Sequence, residues 1–253
     1  MGRRIIALAC ESGDFDVTAA VEKKSHPDLG KDAGILAGIG PINVVLSDVF
    51  PKSAPQAAID FSLSDAVVET IDYCASRTVP LVCGTTGLNE KQREAIKMGS
   101  KKIPLIYATN MSVGMNVLFA LVGKAASMLG DEYDIEIIEQ HHRFKKDAPS
   151  GSAITLAENI CKATGRDLAD SLVHGRSGKE ALRQKGAIGM HAIRAGDITG
   201  IHSVIYGTLG ETVTLSHTAH SRDTFVRGAL RAAKWLIAKP PGLYSMADVL
   251  GIS

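Results

Sequence analysis

The sequence predicts an α/β protein in two parts, a parallel-stranded half followed by an α+β half. Three observations carry this. Over the first hundred residues, short apolar β-like runs alternate with stretches of helical periodicity, the mark of βαβ units. A long helix beginning at Val113, apolar on most faces, breaks that alternation. Three β-like runs then follow one another between residues 187 and 218, ahead of a last amphipathic helix. At roughly 150 residues per domain, a chain of 253 suits one large domain or two modest ones.

The strands of the first half are expected at residues 16–21, 43–46, 57–61, 80–83 and 103–108, all short and apolar. Between them, residues 64–76 carry apolar side chains at 67, 68, 71 and 74–75, the helical period, with Ser64 as N-cap. Residues 89–99 form a helix capped by Asn89 and ending near Gly99. In the second half we expect a helix over 113–129, a strand over 132–140 and a helix over 152–163. After a glycine- and charge-rich stretch come strands over 187–194, 202–206 and 211–218. The helix over 222–238 stacks Phe225, Val226, Ala229, Leu230, Ala233 and Leu236 on one stripe. The boundary between the halves falls near residue 112.

Apolar residues make up 45% and charged residues 22%, an ordinary globular balance that excludes wholesale disorder. Lys plus Arg number 28 against 27 for Asp plus Glu, too even for a dedicated nucleic-acid surface. Cys10, Cys74, Cys83 and Cys161 form no CxxC pair and read as reduced thiols of a cytoplasmic protein. The longest uncharged run, 103–123, holds Pro104, Thr109, Asn110, Ser112 and Asn116, too polar for a lipid-facing helix, so no membrane is expected. Only six apolar residues follow Arg3-Arg4 before Glu11, too few for a signal peptide.

In a doubly wound sheet, ligands bind at the carboxyl ends of the strands. Gly84, Thr85 and Thr86 stand at one such end, where a glycine admits a close backbone approach and the hydroxyls offer compact donors. An ordinary strand-to-helix turn would look the same. The next strand ends in Ala108, Thr109, Asn110, Met111 and Ser112, and two adjacent polar rims favour a ligand. Glu22 ends the strand over 16–21, where dinucleotide folds place an acid on the adenosine ribose. Lys23 could receive a 2′-phosphate, so both NADH and NADPH are expected to serve; a solvated charged turn is the alternative. The Rossmann-type glycine fingerprint is not found ahead of Glu22. The opening residues instead read as the start of a first Rossmann helix, with Gly2 twenty residues before Glu22. On that reading the first strand and most of the phosphate loop lie upstream of residue 1.

The densest cluster runs from Glu139 to Ala153. His141 and His142 suit proton transfer near neutrality, and Lys145 supplies fixed charge or a proton. Gly151 and Ser152 open a helix whose free N–H groups can cradle a carboxylate. The two histidines lack a third ligand at suitable spacing, so no metal is expected.

Four strings together resemble the dihydrodipicolinate reductases, from Met1 to about Ile252. They are Glu139-x-His141-His142-x-x-Lys145-x-Asp147-Ala148-Pro149-Ser150-Gly151, Gly84-Thr85-Thr86-Gly87, Ala108-x-Asn110-Met111-Ser112-x-Gly114 and Arg194-Ala195-Gly196-Asp197-Ile198. The resemblance implies a Rossmann-type dinucleotide-binding domain of residues 1–112 plus 222–253. Residues 113–221 would be an inserted α+β domain for substrate binding and oligomerisation, in a homotetramer. It implies reduction of a cyclic hydroxylated imine dicarboxylate, with loss of water, in lysine and diaminopimelate synthesis. His141 would be the proton donor or acceptor and Lys145 the second donor, with His142, Gly151 and Ser152 on the substrate. Met1, Glu22, Lys23, Gly84, Thr85, Thr86, Ala108, Thr109, Asn110 and Met111 would contact NADH or NADPH. Three departures stand out: Ser152 where the family usually has Thr, Lys23 where Arg is common, and an N-terminal glycine turn reduced to Met1 and Gly2. They leave a second reading open, a truncated, non-catalytic paralogue that oligomerises but binds dinucleotide poorly.

Overall fold

A computed structural model describes residues 1–252. The chain divides into two compact units, Met1–Ser112 with Asp223–Gly251, and Val113–Arg222 with Ile252.

The first unit begins with helix α1 (Gly2–Ser12), as expected of the chain start, whose Leu8 and Ala9 pack on Val226 and Leu230 of α8 (Asp223–Leu236). Strand β1 (Ala20–Val21) pairs in parallel with β2 (Leu46–Ser47). Both are shorter and start later than the apolar runs suggest; for β2 the cause is Asn43, whose left-handed φ of 60° no extended strand can contain. The intervening helix α2 (Ala33–Ala37) has too few residues for a periodic signal; Asp32 caps it, accepting from the N–H groups of Gly34 and Ile35.

Four parallel strands form the unit's larger sheet: β3 (Ala58–Asp60), β4 (Leu81–Cys83), β5 (Pro104–Tyr107) and β11 (Gly242–Tyr244), in the order β11-β5-β4-β3. Strand alternation sends Leu81, Cys83 and Leu105 toward α3 (Val67–Arg77) and α4 (Glu90–Ser100). Val82 and Ile106 pack instead on Ala229, Ala232 and Ala233 of α8. Both faces are thus covered, as a parallel sheet requires. Among the described residues, no strand pairs β1 with β3. Asn89 caps α4 as expected, in a reciprocal box with Gln92. Ser64 does not cap α3. It opens a 3₁₀ turn, Ser64–Ala66, and its carbonyl accepts from Gln92 Nε2 at 2.9 Å.

The second unit packs α5 (Val113–Leu129) and α6 (Gly151–Thr164) on a five-stranded sheet. Its strands are β6 (Asp134–His141), β7 (Leu172–His174), β8 (Ile188–Arg194), β9 (Gly200–Thr208) and β10 (Glu211–Ala219), in the order β10-β9-β6-β8-β7. The long apolar helix is a core element: Met115, Leu118, Val122 and Ala126 are buried against Ile135, Ile137 and Tyr206. The short α7 (Leu168–Ser171) and β7 hide in the charge-rich stretch, where too few residues contact the core to show a period. On the opposite face, the Glu136 carboxylate accepts from both terminal nitrogens of Arg176 (3.0 and 2.7 Å), from Arg183 Nε (3.1 Å) and sits 2.6 Å from His191 Nε2. Burial alone would raise the Glu136 pKa; the hydrogen bonds from Arg176 and His191 outweigh it and hold the carboxyl at about 2.

The close approach of α8 to the sheet gives a test. Gly228 faces the Met111 carbonyl so closely that a Cβ there would overlap its oxygen. Replacing a helical Gly by Ala ordinarily gains roughly 1 kcal/mol. Here Gly228→Ala should instead lose about 1–3 kcal/mol, as overpacked cores do, read as a lower denaturation midpoint.

The Glu136 network gives another. A carboxyl with a depressed native pKa stabilises the fold above its unfolded value, 4.5, and loses that contribution as pH falls toward 2. The wild type should therefore lose about 2–3 kcal/mol more than Glu136→Gln between pH 6 and pH 2, measured by denaturant titration at each pH. Parallel losses in the two proteins would show the network to be inert.

Candidate active site

In the first unit, the carboxyl ends of the parallel strands gather most of the residues expected to hold a dinucleotide. Helix α1 starts without a side-chain cap at Met1. Its Arg4 pairs through Nε and Nη2 with Asp223 (2.9 and 2.6 Å), the first residue of α8, and the next residue, Thr224, meets the Ser112 hydroxyl at 3.1 Å. The start of α1 is thereby tied to the segment that follows β5. Glu22 and Lys23 follow β1, both exposed; the Lys23 N–H donates to Glu22 Oε2 at 2.9 Å.

At the end of β4, the Gly84 N–H donates to the Asp60 carbonyl at 2.8 Å. A Cβ on Gly84 would stand 2.5 Å from the Phe61 ring, so only glycine lets the ring lie there. Thr85 is buried and its hydroxyl donates to the Ser62 carbonyl at 3.3 Å, whereas Thr86 is exposed. Beyond β5, the Ala108 N–H donates to the Cys83 carbonyl at 3.2 Å, and Asn110 Oδ1 accepts from the Ser112 N–H at 2.9 Å. Thr109 is exposed. The Met111 side chain fills the core and leaves only its backbone for a ligand. Two rim residues escaped the sequence reading, Asp60 and Phe61. Asp60 is buried with Oδ2 lacking a partner, and its only signal was a lone acid in an apolar run.

In the second unit, β6 carries Glu139 and His141 two residues apart, hence on one face. Glu139 is fully buried. Its Oε2 lies 2.6 Å from His141 Nδ1 and accepts from Arg194 Nη1 at 2.8 Å, while Oε1 accepts from Arg194 Nη2 at 2.7 Å and the Ser150 N–H at 3.0 Å. Burial would raise this carboxyl, but the donors from His141 and Arg194 prevail and hold it at about 2.

Arg194 ends β8 directly across from His141 and also donates to the Asp147 carbonyl at 2.6 Å. Ser150 caps α6, its Oγ accepting from the Ala153 N–H and lying 3.1 Å from His202 Nε2. His202, opposite Glu139 on β9, stands edge-on to His141 at 5.1 Å. Burial, reinforced by the nearby His141, pushes its pKa down to about 3, so it is neutral.

The loop between His141 and α6 carries the other expected residues. Lys145 Nζ pairs with Asp147 at 2.8 Å. His142 Nδ1 and Arg194 Nε are buried without partners, polar atoms a ligand could satisfy. Gly151 is exposed at the first turn of α6, followed by half-buried Ser152. The structure thus brings His141, His142, Lys145, Gly151 and Ser152 onto one loop and helix start, and adds Glu139, Arg194 and His202.

A doubly covered parallel sheet with a polar rim, joined in one chain to a histidine–carboxylate cluster beside an open helix start, defines a two-unit dehydrogenase-type protein. An amine dehydrogenase from Mycobacterium smegmatis shares the fold, with a TM-score of 0.57 over 97% of this chain and 92% of that one at 14% identity. More specifically, the chain belongs to the dihydrodipicolinate reductase family, matching its N-terminal part over residues 1–111 and its C-terminal part over residues 114–250. It is 46% identical to the 4-hydroxy-tetrahydrodipicolinate reductase of Syntrophus aciditrophicus (strain SB), over 99% of this chain and 94% of the relative. The enzyme of that name from Halorhodospira halophila is also 46% identical, over 100% and 95%. A dipicolinate-bound dihydrodipicolinate reductase from Paenisporosarcina sp. TG-14 superposes with a TM-score of 0.72 at 20% identity, over 98% of this chain and 94% of that one.

Proposed function

We propose that this chain reduces 4-hydroxy-tetrahydrodipicolinate to tetrahydrodipicolinate, with loss of water, in the synthesis of lysine and diaminopimelate. The observation that carries the reading is the His141–Glu139–Arg194 cluster beside the α6 start, in a chain 46% identical to reductases of that name across nearly its whole length. The same identity speaks against a non-catalytic paralogue. The rim of the first unit fits a nicotinamide dinucleotide. Uncapped N–H groups open α1, an acid follows β1, and the ends of β4 and β5 are polar. When bound, the dinucleotide supplies the hydride.

The chain's own residues supply charge and protons. His141 exchanges a proton at Nε2, since Nδ1 is engaged by Glu139. Lys145 provides a second proton and a cation for the substrate's carboxylates. The start of α6 at Gly151 and Ser152 and the His142 ring hold those carboxylates in place before reaction. On the first unit, Glu22 accepts from ribose hydroxyls and Lys23 pairs with a 2′-phosphate, so NADH and NADPH both serve. Met1, Gly84, Thr85, Thr86 and the backbone from Ala108 to Met111 line the dinucleotide.

We assign the protein to the cytoplasm, a reading its four free cysteines support. We also read it as a homotetramer. The sheet face opposite α5 and α6 presents Ile138, Ile193, Ile201 and Ile205 interspersed with polar residues across β6, β8 and β9, with Ile193 42% exposed. Such a face is well suited to bury against copies of itself.

Two substitutions test these roles. His141→Gln should lower turnover by ~10²–10⁴-fold, the contribution of a general acid or base, with the circular dichroism spectrum unchanged. Near-full turnover would remove His141 from the chemistry. Lys23→Ala should weaken NADPH binding more than NADH binding in calorimetric titrations. Equal losses would make Lys23 a solvent-facing cation.

A further inference from the structure

We propose that Glu139 is the positioning residue of the reaction: it fixes which nitrogen of His141 exchanges the proton and anchors the loop that carries Lys145. The proposal rests on His141 being the proton-transfer group.

The argument begins with valence. An ionised carboxylate only accepts hydrogen bonds and offers about four lone-pair directions. Glu139 fills them with His141 Nδ1, both terminal nitrogens of Arg194 and the Ser150 N–H, at 2.6 to 3.0 Å. Because it cannot donate, the close Nδ1 must carry the proton. The neutral ring is therefore the Nδ1–H tautomer, and Nε2 is left as its basic atom.

The surroundings keep Nε2 clear and the ring fixed. A Cβ on Gly200, at the start of β9, would stand 3.2 Å from Nε2. His202 walls the ring edge-on and adds no charge. Arg194 from β8 shares Glu139 with the ring, and the loop beyond it carries the Lys145–Asp147 pair. Arg194 extends the effect, since the nitrogen that meets Glu139 Oε1 also holds the Asp147 carbonyl. One buried carboxylate thus sets the ring state of His141, the start of α6 through Ser150 and the seat of Lys145.

A merely structural carboxylate would affect stability but not the ring. The test is Glu139→Gln, which keeps shape and removes charge, compared with wild type and with His141→Gln. In histidine-¹⁵N-labelled protein, long-range ¹H–¹⁵N spectra identify the His141 ring by its loss in His141→Gln. We expect wild type to show Nδ1–H alone and Glu139→Gln to show a mixture of tautomers. Its kcat should fall about 10²-fold, the lower end of a general acid–base contribution, with NADH affinity little changed.

Unchanged tautomer and kcat in Glu139→Gln would overturn the proposal. Full turnover in His141→Gln would instead overturn the role of His141 on which it rests. Should Arg194, left without its partner, prevent folding, Glu139→Gln combined with Arg194→Met removes both charges. A ring that stays Nδ1–H in that protein would overturn the proposal as well.

Discussion

A carboxylate with no solvent exposure sits at the centre of the second unit, and much of the site depends on its being satisfied. Isolated, a buried charge of this kind costs several kcal/mol and would simply take up a proton. Glu139 stays ionised because its donors come from three places: the end of its own strand, the end of β8 and the backbone of the α6 cap. None of the three can move without stranding the charge. The loop between His141 and α6 is therefore pinned at both ends, and its cation at Lys145 inherits that order.

The first unit meets a different constraint, the need to cover both faces of a parallel sheet while leaving its carboxyl edge open. Alternate residues of β4 divide the work, Leu81 and Cys83 toward α3 and α4, Val82 toward α8. Gly228 brings α8 close enough to touch the Met111 carbonyl. Beyond the strand ends the chain turns polar. There Thr85, Asn110 and Ser112 use their polar atoms to hold the rim itself, so that the backbone, more than side chains, is left to face a ligand.

Much of this was legible in the sequence, and the exceptions have causes. Helices α4, α5, α6 and α8 bury long faces, so their periodicity shows. The hydroxyls and glycines of the β4 and β5 rims, and the run from His141 to Ser152, declare themselves by residue type. Strands β7 and β11, helices α2 and α7 and the last helix α9 (Met246–Leu250) are too short for a period to emerge. Glu139 and Arg194 were visible as members of a pattern, yet their pairing across 55 residues is a product of β6–β8 register. His202 was hidden more thoroughly. A histidine in a β-like run gives no hint that the opposite strand presents a buried glutamate.

Comparison of two glutamates on β6 shows what separates a site from a brace. Glu136 and Glu139 are three residues apart, point to opposite faces and are both held at about 2 by arginine and histidine. A depressed pKa alone would rank them equally. Glu136, however, spends its bonds on a half-exposed segment: Arg176, Arg183 and His191 fasten residues 176–191 to the sheet. Glu139 is sealed from water, and its partners end in atoms with capacity to spare, the Nε2 of His141 and the unpartnered Nε of Arg194, beside the start of α6. The distinction is one of what the charge leaves unsatisfied around it. By that measure the fold places a fully buried charge beside polar atoms left open to a ligand, and a nearly identical group three residues away only holds the chain in place.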